Sequence, residues 1–133
     1  MWPYRDFTQD EMRCKCGCSD ERMNADFMWL LQALRTVTGI PMRVTSGYRC
    51  PSHDAAVGGS TNPGAGPHTT GRAIDIALSG SEARTVVGAA IFMGFTGVFL
   101  LQKGHDSGRF LHLDNLSSDY GRRPTIGTWN RSR

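Results

Sequence analysis

The stretch that decides the fold is "RAIDIAL", residues 72–78, in which branched apolar residues alternate with small or charged ones. This period of two predicts a β-strand, because successive side chains of a strand point to opposite faces of its sheet. Ile74, Ile76 and Leu78 then share one face, and Asp75 lies on the other. A carboxylate in the middle of an apolar strand needs a partner or a chemical role.

A second stretch, "RFLHLDN" at 109–115, has the same alternation. Leu111 and Leu113 share one face of the predicted strand, and His112 and Asp114 share the other. The two strands therefore carry their ionisable residues in matching phase. If both aliphatic faces pack against helices, the polar faces form one common surface.

His68 lies in the turn-like segment "GPHTT" at 66–70, just before the first of these strands, and can fold back over the polar surface. A catalytic zinc site has three protein ligands and one open position for water. The two imidazoles of His68 and His112 and the carboxylate of Asp75 would supply such a ligand set. Zinc bound in this way lowers the pKa of its water to about 7. Taken singly, each residue has an ordinary alternative, such as an exposed loop histidine or a solvated strand face.

The rest of the chain predicts an α+β domain. A helix with apolar residues at helical spacing begins after the N-cap Asn24 and ends at Gly39. A strand at 42–47 follows, then a second helix at 81–92 capped by its first serine. A strand at 96–101 forms an antiparallel hairpin with the last strand. The order is helix, strand, strand, helix, strand, strand.

The chain of 133 residues has the length of one domain. We expect an irregular N-terminal segment at 1–23 and a polar C-terminal tail at 116–133. The long loop at 48–68 contains one helical turn near 54–57, and loops of this length are usually functional or disordered. Its glycine-rich part, 57–66, would form one wall of an exposed cleft.

The 15 Lys and Arg residues exceed the 12 Asp and Glu residues, for a net charge of +3. This mild excess favours approach to an anionic polymer, but no basic run or aromatic-basic stripe indicates nucleic-acid binding. A metal-dependent nuclease would also need clustered carboxylates. The most apolar window, 86–101, is glycine-broken and too short for membrane insertion. The first residues lack the layout of a secretory signal, so we expect synthesis in the cytoplasm. We also expect a monomer.

Four cysteines remain to be explained: Cys14, Cys16 and Cys18 in "CKCGC", and the distant Cys50. They are compatible with free, partly buried thiols, with a structural four-cysteine zinc site, or with a disulfide to Cys50. Without an export signal a disulfide is not the default.

Several longer motifs resemble a known family. "VTSGYRCPSHDAAVGGS" at 44–60, "PHTTGRAIDI" at 67–76 and "RFLHLD" at 109–114 are similar to the zinc D-alanyl-D-alanine carboxypeptidases. The likeness covers 7–115 and is strongest with small single-domain members from phage and prophage cell-wall enzymes. It implies the fold of the D-alanyl-D-alanine peptidases and the hedgehog signalling domain, a small antiparallel sheet with helices on one face.

The resemblance implies one catalytic zinc ion held by His68, Asp75 and His112. It implies hydrolysis of amide bonds in peptidoglycan stem or cross-link peptides, by a carboxypeptidase or an endopeptidase. It also implies action on the cell wall after release, or as part of a phage particle. The alternative is a zinc-containing binding module of the same fold without turnover.

The resemblance implies that the S-G-Y-R motif supplies the substrate-binding residues Ser46, Tyr48 and Arg49. The resemblance implies that Arg49 faces the substrate, where its guanidinium grips a peptide carboxylate or polarises the scissile carbonyl. The alternative for Arg49 is a salt bridge that holds the long loop.

Two positions depart from the family pattern. Gly66 stands where the family usually has a serine, and Arg109 stands where several relatives have an acidic general base. An arginine cannot accept a proton near neutral pH. Asp114 is then the candidate base, unless it orients a ligating histidine instead, and His105 is the second candidate. Arg109 is also the feature that favours the non-catalytic alternative.

Overall fold

The computed structural model describes residues 1–57 and 66–129, and in them five strands form one sheet. The helices and strands are α1 Ala25–Thr38, β1 Arg43–Ser46, α2 Pro51–Ala56, β2 Ala73–Ala77, α3 Gly80–Met93, β3 Gly97–Leu101, β4 Phe110–Asp114 and β5 Thr125–Thr128. The strand order is β1-β2-β4-β3-β5. The first four strands pair antiparallel, and β5 runs parallel to β3 at the edge. The predicted α+β class with a small, mainly antiparallel sheet is confirmed.

Helix α1 begins and ends where the sequence predicts. The Oδ1 of Asn24 accepts a hydrogen bond from the backbone N–H of Phe27 at 2.9 Å, which satisfies a free donor of the first turn. Gly39 ends the helix in the left-handed region at φ 66°. The predicted capping serine of α3 is wrong by two positions. Ser79, in extended conformation, is the N-cap, so that Ser81 lies inside the helix.

The aliphatic faces of β2 and β4 form the centre of the core. Their side chains are fully buried together with residues of α1 and α3, and the set comprises Ile74, Ile76, Leu111, Leu113, Phe27, Leu31 and Val86. Removing this apolar surface from water fixes which face of the sheet meets the helices. The opposite face, with the ionisable residues, is thereby directed away from them, as the strand phase predicts.

The N-terminal segment 1–23 contains a short 3-10 helix at Asp10–Met12 and no other helix or strand. Its apolar residues nevertheless belong to the core, since Tyr4, Phe7 and Met12 are all buried. The backbone carbonyl of Met12 accepts a hydrogen bond from the N–H of Tyr48 at 3.0 Å. Gly47 permits this approach, because a Cβ there would lie 2.9 Å from the Cα of Met12.

The segment 116–133, predicted as a polar tail, contains the strand β5. β5 adds to the sheet beside β3, with Gly127 opposite Phe99. The ring of Trp129 stacks on Phe99, with centroids 5.0 Å apart and planes at 9°. A strand of four residues, "TIGT", is too short and too polar to give a clear periodic signal.

The loop between β1 and β2 is partly described. The predicted helical turn is the longer helix α2, with Pro51 in its first turn, where its missing N–H has no cost. The glycine-rich wall predicted at 57–66 lies mostly outside the described residues. Over 1–57 and 66–129, no helix combines the length and apolar character needed to cross a bilayer.

Candidate metal centre

Asp75 and His112 lie directly opposite each other on the neighbouring strands β2 and β4. The Nδ1 of His112 is 3.0 Å from the Oδ1 of Asp75. His68 comes from the 3-10 helix Pro67–Thr70, which is followed by Gly71 in the left-handed region at φ 73°. The Nε2 of His68 is 3.3 Å from the same Asp75 oxygen. All three side chains are buried, so the structure brings the three predicted ligands together.

In each imidazole, the inner nitrogen faces Asp75 and the outer nitrogen faces away from it. The outer nitrogen of each ring has a fixed hydrogen-bond acceptor. The Nδ1 of His68 lies 2.8 Å from the backbone carbonyl of Gly47, which can only accept, so this nitrogen carries the proton. The Nε2 of His112 lies 2.8 Å from the Oδ2 of Asp114 and donates to it. The inner nitrogens, Nε2 of His68 and Nδ1 of His112, are left to present lone pairs towards Asp75.

Three acceptor atoms thus converge on one point, and they repel one another unless a proton or a cation lies between them. Tetrahedral zinc with nitrogen and oxygen ligands at about 2.0–2.1 Å places those ligands about 3.3 Å apart. The separations of 3.0 and 3.3 Å around Asp75 agree with this spacing. His68, Asp75 and His112 therefore fit a divalent metal ion, and two nitrogens with one carboxylate oxygen suit zinc.

The charges at the centre shift two pKa values in opposite directions. Burial acts to raise the pKa of Asp75, but the neighbouring His68 and His112 outweigh it and hold the pKa below its usual range. Burial acts to lower the pKa of His112, but hydrogen bonds to Asp114 and Asp75 outweigh it and raise the pKa. Without metal, His112 therefore holds a proton between two carboxylates, and a bound ion must displace that proton.

Asp114 is fully buried and both of its oxygens are occupied. Its Oδ2 accepts from His112 and from the Nη2 of Arg123, and its Oδ1 accepts from the Nε of Arg123 and the N–H of Leu116. Burial raises the pKa of Asp114, but His112 and Arg123 lower it further than burial raises it. Gly97 faces this carboxylate across the strand pair, and a Cβ there would overlap it. The geometry corresponds to the orienting alternative for Asp114.

Arg123 and Trp129 border the centre and are absent from the sequence-based site. The guanidinium carbon of Arg123 lies 5.7 Å from the centroid of the Phe99 ring. The ring of Trp129 stacks on Phe99 and lies 5.1 Å from the ring of His112. Trp129 is detectable as an aromatic residue in a polar tail, whereas nothing local distinguishes Arg123 from the adjacent Arg122.

Arg49 is buried and forms the salt bridge that was the alternative considered for it, and its role in substrate binding stays a prediction. Its Nη1 forms a salt bridge with the Oδ1 of Asp54 at 3.0 Å, and its Nη2 lies 3.7 Å from the Oδ2 of Asp75. Its Nε donates to the Oγ of Ser46 at 3.0 Å. Asp54 is a buried partner that the sequence did not reveal. A Cβ at Gly66 would overlap the carboxylate of Asp54, so the glycine at this position makes room for that acid.

A cleft of about 340 Å³ borders the centre through Asp75 and Arg49. Lys15 and Arg109 also line it, and Asp75 is the only carboxylate among the described residues that do so. His53, from α2, is a further lining residue that the sequence did not single out. A cleft with this excess of positive charge favours a ligand that carries carboxylates.

The remaining predicted site residues divide into two groups. Ser46 lines the cleft together with Arg49. Tyr48 is buried, and this burial raises its pKa. His105 is exposed, and its Nδ1 lies 2.9 Å from the Oγ of Ser107. Neither Tyr48 nor His105 is among the described residues that line the cleft. Their roles in substrate binding and proton transfer stay predictions.

Comparison with known proteins agrees with this geometry. A comparison with curated protein sequences returns no match. Residues 5–114 match the family model described as Peptidase M15, and the matched part includes His68, Asp75 and His112. The match covers most of the chain and supports a zinc metallopeptidase. The chain belongs to the Peptidase M15 family.

Proposed function

We propose that this chain is a zinc-dependent peptidase that hydrolyses amide bonds in peptidoglycan stem or cross-link peptides. The observation that carries the proposal is the convergence of His68, Asp75 and His112 on one point in a chain of a peptidase family. A zinc ion held there supplies a Lewis acid that activates water at neutral pH.

The first contribution of the chain to the proposed activity is to orient the two histidine rings. The carbonyl of Gly47 and the carboxylate of Asp114 each accept the outer proton of one imidazole. They hold the rings of His68 and His112 in the orientation in which the inner nitrogen of each faces the position of the ion. Asp114 is in our proposal a positioning residue, because Arg123 and His112 occupy its oxygens.

The charges of the cleft support a wall peptide as substrate. Stem peptides carry free carboxylates, and Lys15, Arg49 and Arg109 line the cleft. Asp54 and Ser46 hold Arg49 rigidly beside Asp75, where its guanidinium can bind a peptide carboxylate or polarise the scissile carbonyl. The resemblance to phage and prophage cell-wall enzymes supports the same substrate class, with action on the wall after release or from a phage particle.

The proposed proton transfer uses an imidazole. His53 lines the cleft with Arg49, whereas His105 lies outside the described lining. We therefore propose His53 as the group that passes a proton to the leaving amine, and His105 becomes the second candidate. Alanine variants of the two histidines, compared for kcat at saturating zinc, distinguish them.

The test combines metal content with hydrolysis of defined muropeptides by the parent protein and by His68→Ala. We expect the variant to hold one zinc ion fewer and to release no products, while far-ultraviolet circular dichroism shows a folded chain. Removal of zinc from the parent by a chelator should abolish cleavage, and added zinc should restore it. Mass spectrometry of the products separates loss of one C-terminal residue from internal cleavage.

One observation favours a second candidate, a non-catalytic binding module. Arg109 occupies the position of the acidic base, and its guanidinium donates to the carbonyl of Gly104 at 3.1 and 3.0 Å at the edge of the cleft. A parent protein that holds zinc at this centre and binds purified sacculi, but cleaves none of the muropeptides, would replace the peptidase proposal with this one.

A further inference from the structure

The four cysteine sulphurs of the chain form a second group, which shares no residue with the metal centre described above. All four Sγ atoms are within 4.8 Å of one another. Cys14 is 3.5 Å from Cys16 and 3.6 Å from Cys50, and Cys16 is 3.6 Å from Cys50. A tetrahedral zinc ion with four sulphur ligands at about 2.3 Å places those sulphurs about 3.8 Å apart. The three measured edges are close to this value, and Cys18 is within reach of the fourth corner.

The backbone of "CKCGC" is shaped to gather alternate cysteines. In an extended strand, the first and third of three alternate residues lie about 13 Å apart, which is too far for all three sulphurs to bind one metal ion. Here Gly17 at φ 97° and Ser19 at φ 63° turn the chain on either side of Cys18. The three alternating sulphurs therefore meet at one point, which also receives Cys50 from the end of the S-G-Y-R segment.

Backbone N–H groups point at two of the sulphurs. The N–H of Cys50 donates to the Sγ of Cys14 at 3.3 Å, and the N–H of Asp20 donates to the Sγ of Cys18 at 3.5 Å. Such bonds stabilise thiolates, and ligands of a metal site are commonly held by hydrogen bonds of this kind.

The thiols also influence one another's ionisation. The backbone amide of His53 lowers the pKa of Cys50 to about 7, against the effect of burial. The backbone at Cys18 lowers the pKa of Cys16, but hydrogen bonds with the neighbouring thiols outweigh it and raise the pKa to about 12. Several thiolates can coexist at such distances only when a cation replaces their protons.

We propose that Cys14, Cys16, Cys18 and Cys50 bind a second zinc ion, in a closed structural site. Four thiolates leave no position for water, so this ion takes no part in hydrolysis. Soft sulphur ligands favour zinc over the hard cations that carboxylates bind. On binding, the ion releases the remaining thiol protons to solvent.

The second ion would connect the N-terminal segment to the substrate-binding segment. Cys50 follows Arg49 directly, and the N–H of Arg49 donates to the carbonyl of His68 at 3.2 Å. A closed site at Cys50 therefore braces the backbone that positions one metal ligand and the cleft arginine. This explains why the segment 14–18 belongs to the folded structure despite having little regular secondary structure.

The experiment measures the zinc content of the full-length protein by mass spectrometry, for the parent and three variants. We expect two ions in the parent and one in His68→Ala, which retains the cysteine site. We expect one in Cys16→Ser with Cys18→Ser, which retains the histidine site. Ser19→Gly is the matched control and should keep two ions, because it keeps all four thiols and glycine adopts the positive φ freely.

Two further measurements do not depend on how well the cysteine variant folds. Cobalt substituted into the parent and into His68→Ala should give thiolate-to-cobalt charge-transfer absorption. In native His68→Ala, all four thiols should react slowly with a thiol reagent. After a chelator removes the metal, the same four thiols should react rapidly. A His68→Ala protein without metal and without the charge-transfer band would overturn the proposal. So would fewer than four titratable thiols before reduction, since this would reveal a disulfide.

Discussion

Arg123 forms a two-bond ion pair with Asp114, donating from Nε to Oδ1 at 2.9 Å and from Nη2 to Oδ2 at 2.8 Å. The same carboxylate accepts the outer proton of His112, whose inner nitrogen faces Asp75. A residue of the C-terminal tail therefore takes part in orienting a candidate metal ligand. Loss of such an outer partner typically costs about 10- to 100-fold in metal affinity.

Asp114→Asn tests whether this carboxylate orients His112 or activates water. The amide cannot accept from His112 and pair with Arg123 as the carboxylate does, so zinc affinity at this centre should fall about 10- to 100-fold. Saturating zinc should then restore most of the hydrolysis of a defined muropeptide. Asp119→Asn, on the exposed side of the tail, should leave both quantities unchanged. Hydrolysis that stays lost at saturating zinc would instead assign Asp114 as the base.

Arg123→Ala should destabilise the fold by about 3 kcal/mol, because it removes one of the two charged partners of the buried Asp114 carboxylate. The measurement is urea-induced unfolding of the zinc-loaded protein, followed by tryptophan fluorescence. Arg122→Ala is the matched control, since the side chain of Arg122 is exposed, and its effect should remain within about 0.5 kcal/mol. Equal stabilities of the two variants would show that the ion pair contributes little.

Zinc binding at the histidine centre should depend on pH through His112. Its pKa is raised above the ordinary value of 6.5, so the metal-free centre holds a proton that zinc must displace. Apparent affinity should rise with pH through that raised pKa and then level off. The bound proton stabilises the metal-free fold most below pH 6.5, and this contribution is lost as pH rises through the raised pKa.

Calorimetry of zinc binding near neutral pH, in two buffers of different ionisation enthalpy, measures the protons released. The Cys16→Ser and Cys18→Ser double variant isolates the histidine centre from thiol protons. Identical heats in both buffers would mean that His112 is already neutral without metal.

Gly66→Ala should weaken catalysis without touching a metal ligand. The added Cβ would overlap the carboxylate of Asp54, which holds Arg49 at 3.0 Å. We expect a loss of about 1–3 kcal/mol in stability from overpacking. We also expect a higher KM for muropeptides with a free terminal carboxylate, with zinc content unchanged. Gly88→Ala, at a helix position with open space around it, should be neutral or stabilising. An unaltered KM in Gly66→Ala would indicate that Arg49 does not contribute to substrate binding.

Local patterns in the sequence determined the elements and their faces. The two-residue period of β2 and β4 assigned Asp75 and His112 to the polar side, because side-chain direction in a strand follows from backbone geometry alone. Asn24 and Gly39 marked the limits of α1 for a similarly local reason, namely the unsatisfied backbone groups at helix ends. The motifs at 44–60, 67–76 and 109–114 indicated the family, which the match over 5–114 shows.

Only the tertiary structure decided which residues meet. The register that places Asp75 opposite His112, the parallel addition of β5 and the pairing of Arg123 with Asp114 join residues distant in the chain. No periodicity encodes such contacts, because they depend on how separate elements pack once the core is buried. The approach of Cys50 to the "CKCGC" segment is of the same kind. The sequence determined which chemical groups this protein has, and packing decided which of them act together.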